Sequence, residues 1–345
     1  MLALALVRGP IVWGLGALAL LTPRVVRAEG PWPPFAESRR AVCVGGPGAL
    51  DAPEAFSVRG QDYQLEGHKL VQLTRDADKV LRIGVVSAIK DARPETLAQV
   101  DRAIDWLAAQ GLDLLVLNGD LGTSELDLEA TFPRIAARGF LTVATIGNTE
   151  SCGSFNRAAY DVHQQHPSFV NGNWARVLVL DDATVLTLPG YHDRAFVHTG
   201  GGAHYKPTDL EVLDQMARAA PKPHVLVAHG PPRQAGKAAL DLTYDDGNVG
   251  NPAMTELIEG LDIKFGLFGH ILEAGGRGTD LKGKARAPRK WHPSLYVNAG
   301  TINPDPWAML DKKTSTGLAI HVELEAGKRA RYRVERFRPP PAPAP

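Results

Sequence analysis

An α/β architecture with a largely parallel sheet is the expectation for this 345-residue chain, and three features lead to it. Short apolar runs alternate with segments of helical periodicity. Several runs end in a Gly, Asn, Asp or His signature rather than in a tight hairpin turn. Strand, helix, strand, helix, strand in sequence requires crossover connections, which are right-handed and pair the strands in parallel.

The first buried strand is read at residues 81–86. Leu97, Val100, Ile104 and Leu107 then fall at helical spacing between Pro94, which suits a helix start, and Gly111, which stops it. A strand at 114–117, a helix at 126–137 and a strand at 140–146 follow. Later strands are expected at 176–180, 184–188, 225–228, 265–268 and 295–297, and residues 317–324 and 330–337 read as a closing hairpin. Ahead of this domain, placed at 80–338, residues 29–53 are rich in Pro, Gly and Arg and read as an irregular arm. Turns at Gly60 and Gly67 divide 56–73 into short antiparallel strands. Residues 339–345 are nearly all Pro and Ala, a composition expected to be a disordered tail. One domain fits the pattern better than two.

Arg8 precedes an apolar run over 11–21, and Val26, Arg27 and Ala28 supply a cleavage position. That is the layout of an export signal over residues 1–28, and the run is shorter than the roughly 20 residues of a membrane span. The expected location is periplasmic or extracellular, with no transmembrane span after cleavage. In an oxidising compartment Cys43 and Cys152 either form one disulfide or stay as separate thiols, and sequence leaves both open. Lys and Arg number 38 and Asp and Glu 38, so the net charge is zero. No nucleic-acid partner is expected of such a chain, although local basic patches are compatible with it.

In open α/β sheets ligands bind beyond the carboxyl ends of the strands. The residues there are Ser87-Ala88-Ile89-Lys90, Asn118-Gly119-Asp120, Gly147-Asn148-Thr149-Glu150, His229-Gly230-Pro231-Pro232, Gly269-His270-Ile271-Leu272-Glu273 and Asn298-Ala299-Gly300-Thr301. Asp120, Asn148, His229 and His270 offer a carboxylate, an amide oxygen and two imidazoles, a donor set suited to Zn, Mn or Fe. Any one of them is commonplace. Four in succession, each at a strand end, point to one site.

These ordered motifs resemble the calcineurin-like metallophosphoesterases, whose pattern runs D-x-H, G-D, G-N-H-[DE], H, then G-H-x-H. The match covers about 80–301 and is nearest the branch with H-G-P-P and G-H-I-H-E. The resemblance implies a two-sheet sandwich flanked by helices in four layers, α/β/β/α. It also implies a two-metal site that hydrolyses phosphoesters, the ions clamping the phosphate and activating water.

Carried over position by position, the resemblance places the second metal on Asp120, Asn148, His229 and His270, all suitable ligands. The first would need Ala88, Lys90, Asp120 and Leu272, and three of those four cannot serve; a lysine amine loses its proton only near pH 10.4. The motif-three His, which assists the leaving group, is Thr149. Lys90 and Thr149 are therefore the remaining catalytic candidates. Either the Lys90 ammonium pairs with Asp120 or a bound phosphate, or its head turns to solvent. Arg233 is a candidate phosphate contact. Asp91, Glu150, His192, Asp193 and Glu273 read as ordinary polar loop residues, and so do the remaining histidines.

The expected cofactor is thus one divalent ion (Mn, Fe or Zn) or none, and the expected ligand a small phosphorylated molecule. Two readings follow: a weak single-metal phosphoester hydrolase, or a catalytically inactive relative that binds a phosphate ligand. The alternative is a structural or scaffold protein of the cell envelope with no ligand. The protein partner is unknown.

Overall fold

The computed structural model describes residues 34–45, 53–198, 201–325 and 328–338. The signal sequence and the Pro/Ala tail expected from the sequence lie outside the described residues. The expected irregular arm is corrected in part: its described portion holds a short helix, α1 (Pro34–Arg39). Among the described residues no helix is long and apolar enough to cross a membrane.

In chain order the strands are β1 (Glu54–Val58), β2 (Gln61–Glu66), β3 (Lys69–Gln72), β4 (Val80–Val86), β5 (Leu114–Asn118), β6 (Thr142–Thr145), β7 (Phe169–Asn171), β8 (Val177–Val179) and β9 (Thr184–Leu188). They continue as β10 (His224–Ala228), β11 (Phe265–Phe268), β12 (Gly278–Thr279), β13 (Leu295–Asn298), β14 (Trp307–Ala308), β15 (Thr314–Ser315), β16 (Leu318–Glu325) and β17 (Arg329–Arg336). The longer helices are α2 (Pro94–Ala109), α3 (Glu125–Ala136), α4 (Cys152–His163), α5 (Pro207–Ala219) and α6 (Pro252–Leu261).

Two large sheets result. One runs β17-β16-β4-β5-β6-β7 and the other β1-β2-β3-β8-β9-β10-β11-β13-β12. Within each, the central strands are parallel: β4 to β7 in the first, and β9, β10, β11 and β13 in the second. The expected closing hairpin is β16–β17, and β16 docks antiparallel on β4.

Three apolar clusters define the layers. Ile83, Val85, Val116 and Val143 meet Val185, Val225, Val227, Leu267 and Val297 between the sheets. Val100, Ile104, Leu107, Leu128, Phe132 and Phe155 from α2, α3 and α4 cover the outer face of the first sheet. Leu210, Leu213, Met254 and Ile258 from α5 and α6 cover the second. The stack is therefore the four-layer α/β/β/α sandwich. The fully buried central strands bury both faces, which explains why they read as continuous apolar runs.

Local chemistry sets the helix starts. Pro94, Pro207 and Pro252 occupy the first turns of α2, α5 and α6, where a missing N–H is harmless. Ser124 and Asp127 form a reciprocal capping box on α3. Cys43, from the arm, and Cys152, at the start of α4, are free thiols buried in the same cluster.

Candidate metal centre

The parallel strands of both sheets end on the same rim, and the motif loops meet there. Their backbone is unusual: Ala88, Lys90, Asp120 and His270 all have positive φ, at 49°, 71°, 58° and 62°. Non-glycine residues adopt that region at a cost, so something must hold it. Buried hydrogen bonds do. Ser87 Oγ donates to the Asn118 carbonyl at 2.7 Å, Thr301 Oγ1 to that of Ala88 at 2.8 Å, and Lys90 N–H to that of Asp120 at 3.0 Å. Asn298 Nδ2 donates to the carbonyls of Leu240, Gly269 and Ile271, while its Oδ1 accepts the Gly300 N–H. Gly119 allows the closest approach. It has a φ of 74°, and a Cβ there would run into the His229 imidazole.

Asp120, Asn148, His229 and His270 are brought together. His229 Nε2 and His270 Nδ1 each lie 2.9 Å from Asn148 Oδ1, and His229 Nε2 lies 3.2 Å from Asp120 Oδ1. The backbone N–H of Asn148 and the Thr149 hydroxyl both donate to that same Asp120 oxygen at 3.2 Å. Asp120, His229 and His270 offer ligand atoms all within 4.8 Å of one another.

Second contacts fix which atoms face inward. His229 Nδ1 lies 3.0 Å from the Asn118 carbonyl, which only accepts, so Nδ1 carries the proton and Nε2 presents a lone pair. Asn148 Nδ2 donates to the Phe196 carbonyl at 2.8 Å, which turns Oδ1 toward the histidines. A neutral His229 thus sets three acceptors face to face: its Nε2, Asn148 Oδ1 and Asp120 Oδ1. Such an arrangement requires either a second proton on His229 or a cation. The residues present fit a divalent ion.

The electrostatics match. Burial pulls the His229 imidazole down, but the Asp120 carboxylate outweighs it and raises its pKa. Burial pushes Asp120 up, but His229 above all, with Lys90, holds it below the usual carboxylate range. His270 is pushed down to about 3 by burial and by the adjacent His229, so it is neutral and free to ligate. Its ring packs on Tyr191, with centroids 4.0 Å apart.

The positions that the resemblance assigns to a first metal are built differently. Ala88 is fully buried, and Leu272 is 6% exposed. The Lys90 ammonium lies over the Trp307 ring, 5.3 Å from its centroid. Among the described residues it is His229 Nε2, not the Lys90 ammonium, that lies within ion-pairing distance of Asp120. Of the two sequence readings for Lys90, the pairing with Asp120 is not what forms, and the head is not simply in solvent either. Arg233 is exposed and makes no ion pair among the described residues. Asp91 faces away, accepting from Thr96 Oγ1 and Asn303 Nδ2, and Asp193 caps a short 3-10 turn over Arg194–Phe196.

Sequence reasoning underrated two residues. Glu150 is no ordinary loop residue: at 2% exposure, it accepts the backbone N–H groups of Leu121 and Gly147 and so ties the Asp120 loop to the Asn148 loop. Burial and the Asp120 charge push its carboxyl up to about 7. Its place beside the third motif was the available signal. His192 packs against Tyr191 at 4.5 Å, and among the described residues its buried Nδ1 has no hydrogen-bond partner. Tyr191, Phe196 and Trp307 carried no motif that could have revealed them.

With this geometry in view, the profile of the calcineurin-like phosphoesterases matches residues 81–274. The chain belongs to that family. No curated protein matches it by sequence. One crystal structure superposes on this calcineurin-like phosphoesterase with a TM-score of 0.53 at 16% identity, covering 75% of this chain and 100% of the other. TT1561 of Thermus thermophilus gives 0.48 at 16% identity, over 69% and 98% of the two chains. A dimetal phosphatase from Danio rerio gives 0.44 at 11%, over 76% and 100%. At such identities the likeness concerns fold, while the family's habit of holding divalent metals agrees with the donor cluster found here.

Proposed function

We propose that this calcineurin-like phosphoesterase is an exported protein that binds a small phosphorylated ligand at a single-metal centre, with phosphoester hydrolysis weak or lost. Asp120, Asn148, His229 and His270 would hold the ion, which when bound supplies Lewis-acid polarisation of a phosphoryl oxygen. Around it, the chain's own groups have separable tasks. The Asn118 carbonyl fixes the His229 tautomer, and Tyr191 orients His270. Thr149 donates to Asp120 and stands where the family places a histidine, so a hydroxyl with no titration near neutral pH replaces an acid for the leaving group. Lys90 supplies a cation on the side where two-metal members bind their other ion. A monocation attracts phosphate but activates water far less than a divalent ion does.

The observation that carries this reading is the asymmetry of the centre: converging lone pairs on one side, and Ala88, Leu272 and a Trp307-bound Lys90 on the other. Export is supported by the N-terminal pattern of Arg8, the apolar run and Ala28.

Metal analysis and calorimetric titration with Mn²⁺ test the proposal. One ion per chain is expected, with affinity weakened on the order of 10²-fold or more in His229→Ala, since second contacts to metal ligands alone are worth 10–100-fold. Assays with phosphomonoesters and phosphodiesters should show turnover at least about 10³-fold below a two-metal enzyme. Two bound ions with rapid turnover would sink the proposal, and so would no ion at all.

A further inference from the structure

The centre occupies one end of the sandwich, and the opposite end carries a different feature. After β12, which runs antiparallel to β13, the chain travels away from the site and returns to Leu295 along a strap over residues 280–292. The strap contains Lys282, Lys284, Arg286, Arg289 and Lys290 and no acid beyond Asp280. It is not a loose loop. Arg286 N–H donates to the Gly278 carbonyl at 2.7 Å, Arg289 N–H to that of Tyr332 at 2.8 Å, and His292 exchanges main-chain bonds with Ala330. Tyr332 Oη closes it by donating to the Arg286 carbonyl at 2.9 Å.

Asp280 accepts the backbone N–H groups of Lys282 and Lys284 and pairs with Arg286 at 3.3 Å. That leaves Lys282, Lys284, Arg289 and Lys290 exposed, and among the described residues no ion pair engages any of them. Lys328 is exposed nearby, at the start of the β17 edge that the strap lines. Along the strap itself five cations stand against one acid.

We infer that this face is a docking surface for an anionic phospholipid bilayer. The patch lies along a strap on a sheet edge rather than in a groove, which suits a plane of headgroups better than a tracked nucleic-acid strand. Single-strand binders also need free aromatic faces for stacking. Here Trp291 is flanked by the Arg329 and Arg331 guanidinium groups, 4.9 and 4.6 Å from its centroid. Those two guanidinium groups pair with Glu325 and Glu323, but Trp291 follows the exposed Arg289 and Lys290 directly, and a half-buried Trp beside exposed cations is the composition of a membrane-interface contact. The inference leans on the export reading for its bilayer, since the proposed route crosses one, but its test does not. Docking this end would leave the metal centre facing away from the lipid.

The test is vesicle sedimentation of the full chain on phosphatidylcholine alone and on phosphatidylcholine mixed with phosphatidylglycerol. Binding to the mixed vesicles should exceed binding to the neutral ones and collapse as salt shortens the Debye length to a few Å. Each cation at an anionic surface is worth a factor of about five. The variant with Lys282→Gln, Lys284→Gln, Arg289→Gln and Lys290→Gln should therefore bind mixed vesicles roughly 10²–10³-fold more weakly, with an unchanged circular dichroism spectrum and Mn²⁺ stoichiometry. Binding to the neutral vesicles reports any attachment through the apolar N-terminus and is subtracted before the two proteins are compared. Equal binding to the two lipids overturns the proposal, as does equal binding by the variant. Tighter binding to a single-stranded oligonucleotide than to the mixed vesicles also overturns it. Because the two ends are tested separately, loss of Mn²⁺ binding would not be mistaken for loss of lipid binding.

Discussion

The two halves of the rim share a backbone and differ in chemistry. On the side of Asp120 and His270 the positive-φ residues aim ligand atoms at one point. On the side of Ala88 and Lys90 the same strained conformation persists, yet the side chains are a methyl and an ammonium resting on Trp307. The cradle therefore does not depend on the ligands it presents. Ser87, Thr301 and Asn298 hold the loops through buried hydrogen bonds to main-chain carbonyls, none of which uses the side chain of Asp120, Asn148, His229 or His270.

Restoring the chemistry should give the largest effect. Ala88→Asp, Lys90→His, Thr149→His and Leu272→His together refill the positions that the family pattern assigns to the first metal and the leaving-group acid. We expect phosphodiester turnover with Mn²⁺ to rise by about 10³-fold or more, read against the parent protein. A correctly folded quadruple variant with two ions and no gain in rate would show that the halves differ by more than their ligands.

A smaller effect probes the retained half. Glu150 has its carboxyl raised to about 7 by burial and by Asp120, against an ordinary value near 4.3. The folded chain thus keeps a proton that the unfolded chain releases. The stability this contributes is complete below the unfolded pKa and is lost as pH rises through about 7, a loss of about 4 kcal/mol when complete. Chemical denaturation of the metal-free protein from pH 4.5 to 8 should show it, with a flatter profile for Glu150→Gln. An unaltered slope in that variant would assign the pH dependence to His229 instead, whose raised pKa acts in the same direction.

The smallest effect concerns Lys90. Trp307→Ala removes a cation–π contact worth roughly 0.5–1 kcal/mol at an exposed site, so inorganic phosphate should bind a few-fold more weakly, and Lys90→Met should bind it more weakly still. Phosphate affinity indifferent to both substitutions would make the ammonium a bystander.

Much of this was legible before folding. Strand runs, the Pro94 helix start, and the ordered Asp120, Asn148, His229 and His270 all follow from local periodicity, the fixed φ of proline and donor chemistry, which act within a few residues. The arm was the clearest local miss, because Pro34 reads as a breaker in the sequence and serves as the first helical residue in α1. Glu150 looked like a loop residue since nothing nearby in sequence buries it; the Leu121 and Gly147 main chain does.

What tertiary structure alone decided is the set of contacts between distant segments. The turning of His229 Nε2 inward by Asn118, the seat of His270 on Tyr191, and the capture of Lys90 by Trp307 each join loops from separate strands. A sequence states which atoms are available at each strand end. The sheets' parallel stacking determines which of them meet, because orientation and burial depend on neighbours that the chain brings in from elsewhere.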